Sequence, residues 1–84
     1  MPETNVRLHG YEADTYWPRA RLVAEIDDYS THGDRITFER DRVKQTVYAL
    51  HGILTVRITE QTLPTATRVV RQLISDRSGR ISTQ

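Results

Sequence analysis

Cysteine is absent from the 84-residue chain, which excludes a disulfide framework and a zinc–thiolate centre and fits a reducing compartment. Lysine is almost absent too: eleven of the twelve basic residues are arginine, and only Lys44 departs from the rule. Arginine's planar fork suits phosphate oxygens, although codon bias alone would explain the same preference. Aromatic residues make up 7% of the chain. A chain of this size buries only about 60% of its unfolded surface, so one modest core is expected. Neither sign of charge dominates, the net being +1, so electrostatics alone does not announce a polyanionic partner. No apolar run approaches the roughly 20 residues that span a bilayer, and Met1 opens no signal sequence. The expectation is a soluble, cytoplasmic, single-domain protein with no membrane association. No internal repeat, low-complexity block or linker interrupts it.

What is present reads as alternating short elements. Residues 1–4 resemble a disordered start. Asn5–His9 alternates as a strand, and His9-Gly10 marks a turn. Glu12–Trp17 is a second strand ended by Pro18, which has no N–H for a ladder. Arg21–Ile26 is the most apolar strand. A turn-rich stretch leads to Asp34, a good N-cap for a helix from Arg35 or Ile36 to Leu50. Gly52 fits the left-handed position after that helix. Ile36, Val43, Val47 and Leu50 form its apolar stripe, interrupted by Arg40. Ile53–Ile58 is a fourth strand. A second helix begins near Leu63, with Pro64 in its first turn and Ala66, Val69, Val70, Leu73 and Ile74 on one side. The domain spans 5–76, and 77–84 is expected to fray. The order β-β-β-α-β-α predicts an α/β (α+β) domain with a small mixed four-stranded sheet.

The stretch Tyr11–His32 collects ionisable groups that an ordinary sheet would not favour. Parity places Glu25 and Asp27 on one face of their strand, with Leu22, Ala24 and Ile26 on the other. A turn centred on Arg19-Ala20 sets Asp14 directly opposite Glu25. Like charges about 5 Å apart across a pair of strands are destabilising, and a cation between them would relieve the repulsion. The structural alternative is a solvated acidic face in which each acid pairs with an arginine.

The pattern YEADTYWP, LVAEIDDYSTH, FERDR and GILTVRIT resembles restriction-endonuclease-like nucleases. It most resembles uncharacterised bacterial domains related to the very short patch repair endonucleases. Their usual form has a Y-x-V-D strand, an E-x-D-G-x-x-x-H stretch, a helix opening F-E-x-D-R and a strand ending R-F-T. The resemblance covers about residues 5–75. It implies a restriction-endonuclease-like core lacking the family's usual N-terminal helix. It makes Asp14 the metal-binding aspartate and Glu25 the acid of the third strand. Asp27 stands where many relatives carry lysine, and His32 matches the histidine beside the scissile phosphate. Asp41 and Arg42 match the helical D-R pair, and Arg57 the arginine of the fourth strand. Asp28 departs from the pattern, standing where glycine is usual.

The resemblance implies hydrolysis of DNA with Mg²⁺ (or Mn²⁺), held by Asp14, Glu25, Asp27 and the Ile26 carbonyl. His32 would accept a proton; a histidine bonded to backbone in a turn is its plain alternative. Arg42, Lys44 and Arg57 would hold the nucleic-acid backbone. Their alternatives are an ion pair with Glu39 or Asp41 for Arg42, and with Glu25 or Asp27 for Arg57. Asp41 reads as a structural anchor. Trp17 reads as a cover on the hairpin end, with base stacking the lesser alternative. His9 and His51 have no evident partner. The competing function is a catalytically inactive module of the same fold, binding nucleic acid or a protein partner in an antitoxin-like or regulatory role. A homodimer or partner protein completing the sheet is expected in either case, because the apolar strand edge is unprotected.

Overall fold

A computed structural model describes residues 2–26 and 35–82, with side chains for 2–26 and 39–78. The expectations for Asp27, Asp28, His32 and the Asp34 cap lie outside the described residues. Six elements follow in the order β1 (Glu3–Leu8), β2 (Tyr11–Trp17), β3 (Leu22–Ile26), α1 (Arg35–Leu50), β4 (Leu54–Ile58) and α2 (Leu63–Ser82). They build one mixed sheet in the order β1-β2-β3-β4. The first three strands are antiparallel neighbours, and α1 carries the chain across so that β4 runs parallel to β3. The expected fold class is observed. No helix among the described residues is long and apolar enough to cross a membrane.

Local chemistry accounts for the turns. His9 and Gly10 both take positive φ, 50° and 89°, between the paired residues Leu8 and Tyr11. Two consecutive left-handed residues are what a type I′ hairpin turn requires, and glycine takes the second at no steric cost. The β2–β3 turn is closed by the Arg21 N–H on the Pro18 carbonyl, and its centre is where the sequence places it. Helix α1 ends on Gly52 at φ 76°. The Gly52 N–H bonds the Ala49 carbonyl, and the Ile53 N–H bonds the Tyr48 carbonyl at 2.8 Å. That is a Schellman closure, completed by apolar packing of Ile53 with Tyr48.

The sheet has a core on each side. Under α1 lie Ala13, Tyr16, Val23, Tyr48 and Ile53. Under α2 lie Ala20, Leu22 and Val70, with Trp17, Val56, Ile58, Leu73 and Ile74 packed around them. Ala13 and Tyr16 share a face although strict alternation would oppose them. The alternation breaks at Asp14. The β1–β2 register runs Thr4↔Thr15 and Val6↔Ala13 and omits the pair between, where Asn5 has φ 50°. Both strands therefore exchange faces at the same point.

Two ends differ from the sequence reading by more than one residue. β1 begins at Glu3, not Asn5, because Glu3 and Thr4 pair with Tyr16 and Thr15. Helix α2 continues past Asp76 to Ser82, where a frayed tail is expected. Arg77 explains this extension: its guanidinium donates to the carbonyls of Ala20, Arg21 and Gly52 and anchors the helix across two turns.

Candidate functional site

The inward stripe of α1 is not the apolar one. Val43 and Leu50 are exposed, and the helix turns Asp41, Lys44 and Tyr48 toward the sheet. Charged residues can face inward there because the sheet supplies partners. Glu25 on β3 and Arg57 on β4 are neighbours across the parallel ladder. Lys44 pairs with Glu25 at 2.7 Å, and Asp41 pairs more loosely with Arg57 at 3.7 Å. Helix and sheet therefore face each other with opposed charges at two positions.

Glu25 is the one charged residue of the described core, with 9% of its surface exposed. Its Oε1 accepts from Lys44 Nζ, and its Oε2 accepts from the Asp14 backbone N–H at 3.2 Å. Asp14 returns the contact: its Oδ2 accepts from the Ile26 N–H at 2.9 Å. Lys44 Nζ also donates to the Glu12 carbonyl at 2.8 Å. Beyond Thr15↔Ala24 the β2–β3 ladder stops, and past its end these carboxylates accept from the Asp14 and Ile26 backbone donors. Charge-assisted bonds of this kind are stronger than the neutral ones they replace.

Tyr48, on the sheet-facing side of the same helix, has no exposed surface, and its hydroxyl has no hydrogen-bond partner among the described residues. Burial, and then the Glu25 charge, push its phenol up from 10.0 to about 12.

Of the candidate residues, the structure brings together Asp14, Glu25, Ile26 and Lys44. Asp14 and Glu25 do not face each other as bare side chains; each is engaged with the other strand's backbone. Lys44 does not project toward solvent as a backbone-gripping residue would, because its ammonium serves Glu25 and Glu12. Arg57 pairs with Asp41. Arg42 lies on the exposed side of α1, along a shallow groove with Gln45, Thr46 and Ala49. Asp27 and His32 lie outside the described residues. Among the described residues, no three acidic or histidine side chains stand together as a metal site. Asp14 and Glu25 are oxygen donors of the kind Mg²⁺ or Mn²⁺ takes, so they fit such an ion in type. They supply two carboxylates, and both Glu25 oxygens already hold a partner.

One contact has no trace in the sequence pattern. His9 and His51, each beside a turn glycine, stack face to face with ring centroids 3.6 Å apart and planes within 4°. The pair closes the β1–β2 turn against the α1–β4 turn. Only a topology that brings two remote H-G dipeptides side by side could have announced it.

The fold and the cluster define a small mixed α/β domain with an acid, acid and amine junction at one end of its sheet. Comparison with protein-family models, curated proteins and solved structures finds no match.

Proposed function

We propose that this chain is a nuclease-fold domain, cytoplasmic in setting, that hydrolyses DNA phosphodiester bonds with Mg²⁺ or Mn²⁺. The observation that carries the reading is the meeting of Asp14, Glu25 and Lys44 from β2, β3 and α1. Asp27 stands where the resemblance would have a lysine, and Lys44 brings an amine to Glu25 from the helix. Asp14 and Glu25, with the Ile26 carbonyl, would hold the ion. A bound ion of this type orients water, lowers its pKa and offsets charge developing on phosphate. The chain's own part is to fix the acids through backbone donors and to keep a cation beside the phosphate. Arg42 and Arg57 remain the candidates for the DNA backbone, and Asp27 and His32 for a further ligand and a proton acceptor.

A second reading has its own observation. Both Glu25 oxygens are engaged, and its charge is already offset by Lys44, so the cluster satisfies itself as a structural ion pair. In that account the domain binds nucleic acid or a protein partner without chemistry, and the free edge of β1 is where a second copy or partner would complete the sheet. Calorimetric titration with Mn²⁺ separates the two. Ion binding that disappears in Asp14→Asn supports the hydrolytic reading. No heat in the wild type, or heat unchanged in the variant, leaves the binding module.

A further inference from the structure

We infer that the groove between the Trp17 end of β2 and helix α2 binds single-stranded nucleic acid, with a base stacked on the Trp17 indole and an adjoining phosphate held by Arg71. The groove encloses about 300 Å³ and is lined by Trp17, Ile58, Thr67, Val70, Arg71 and Ile74. It exists because α2 packs on β3 and β4, which leaves Trp17 on the next strand as the far wall. Trp17 packs against the α2-side core yet stays only half-buried, so part of its ring is available for contact. Thr67, Val70, Arg71 and Ile74 recur at helical spacing and form the near wall.

Charge selects the occupant. None of the six lining residues is acidic, and Arg71 is among them. Arg68 lies one turn earlier on α2, and Arg19 follows Trp17 by two residues in the β2–β3 turn; all three arginines are exposed. An apolar floor with an indole wall and a cation in the lining matches a strand whose bases have flat faces and whose backbone is anionic. A purely apolar peptide would leave Arg71 without a use. The groove lies on the α2 side of the sheet, whereas Glu25 and Lys44 meet on the α1 side, so this inference does not depend on the hydrolytic reading.

The experiment uses the full chain and a labelled oligothymidylate of roughly a dozen nucleotides, read by anisotropy and by tryptophan emission. Trp17 is the only tryptophan, so any change in emission reports this groove. Quenching on binding is expected. Trp17→Ala should weaken binding by roughly 5- to 150-fold, the range for loss of one base–aromatic stack. Trp17→Phe, which retains packing, should fall between. Arg71→Gln should weaken binding and lower the salt slope by about one. Should Trp17→Ala fail to fold by circular dichroism, Trp17→Phe and Arg71→Gln decide the matter. Binding without an emission change, equal affinity for an abasic strand of the same length, or wild-type affinity in both Trp17→Phe and Arg71→Gln would overturn the inference. An emission shift that follows protein concentration with no oligonucleotide present would instead make a second copy of the chain the occupant.

Discussion

Replacing Lys44 by methionine tests the junction most sharply for stability. The substitution keeps most of the side chain's length and its apolar stem, and removes the ammonium. Glu25 then loses its 2.7 Å partner while its side chain remains 12% exposed. Removing one member of a buried pair costs about 3–5 kcal/mol, because the other charge is left uncompensated. The pair here is not fully sealed, and the Asp14 N–H still serves Glu25 Oε2, so a loss of about 2–4 kcal/mol is expected. A domain of this size has a total stability of about 4–13 kcal/mol, so the variant should be visibly weakened in urea titrations followed by circular dichroism. Glu25→Gln in the Lys44→Met background should cost less than it does alone, giving a coupling of about 1–3 kcal/mol in the double-mutant cycle. A loss below about 0.5 kcal/mol, the scale of an exposed pair, would refute the reasoning that Lys44 holds a buried carboxylate.

The other expectations concern neighbouring features. Tyr48 has a phenol raised to about 12, so the neutral form favours the folded state. Its contribution is complete below pH 10 and is lost as pH rises toward 12, by about 2–3 kcal/mol over that window. Tyr48→Phe should flatten this alkaline loss in thermal melts across pH 9–12. It should also raise stability at pH 7 by about 0.5–2 kcal/mol, since it removes a buried hydroxyl without a partner; a destabilised variant contradicts this. Arg77→Ala should cost about 1–3 kcal/mol by leaving turn carbonyls without their donor, and amide exchange should show the last turns of α2 opening first. His9→Ala and His51→Ala should each cost about 0.5–1.5 kcal/mol at neutral pH. Together they should cost clearly less than the sum of the two, because each removes the same stack; strict additivity in chemical denaturation would show that the rings do not support one another.

Much of the fold was legible because its signals are local. Alternation marks β1 to β4, the turn at Arg19-Ala20 follows from Pro18 and the strand lengths, and Gly52 closes α1 as its missing Cβ suggests. The orientation of α1 was not legible. Apolar spacing favours Val43 and Leu50, yet Asp41 and Lys44 face the sheet because Arg57 and Glu25 await them there. Those partners are known only once β3 and β4 are paired. The interrupted rung at Asn5 and Asp14 was equally hidden, since a rule of strict alternation has no place for two strands that exchange faces there. At that rung the Asp14 carboxylate accepts from the Ile26 N–H. The end of α2 failed for a third reason: Asp76 onward is polar and looks frayed, but Arg77 finds its acceptors in turns far away in sequence.

The central claim, that Asp14, Glu25 and Lys44 form an ion-dependent hydrolytic site, is tested most directly by nicking of supercoiled plasmid in Mn²⁺. The wild type, Asp14→Asn and Lys44→Met should be compared at equal folded concentration. The account predicts conversion to open circles by the wild type that stops on chelation with EDTA and is lost in both variants. Plasmid left intact by the folded wild type in Mn²⁺, or nicked equally by Asp14→Asn, would contradict it.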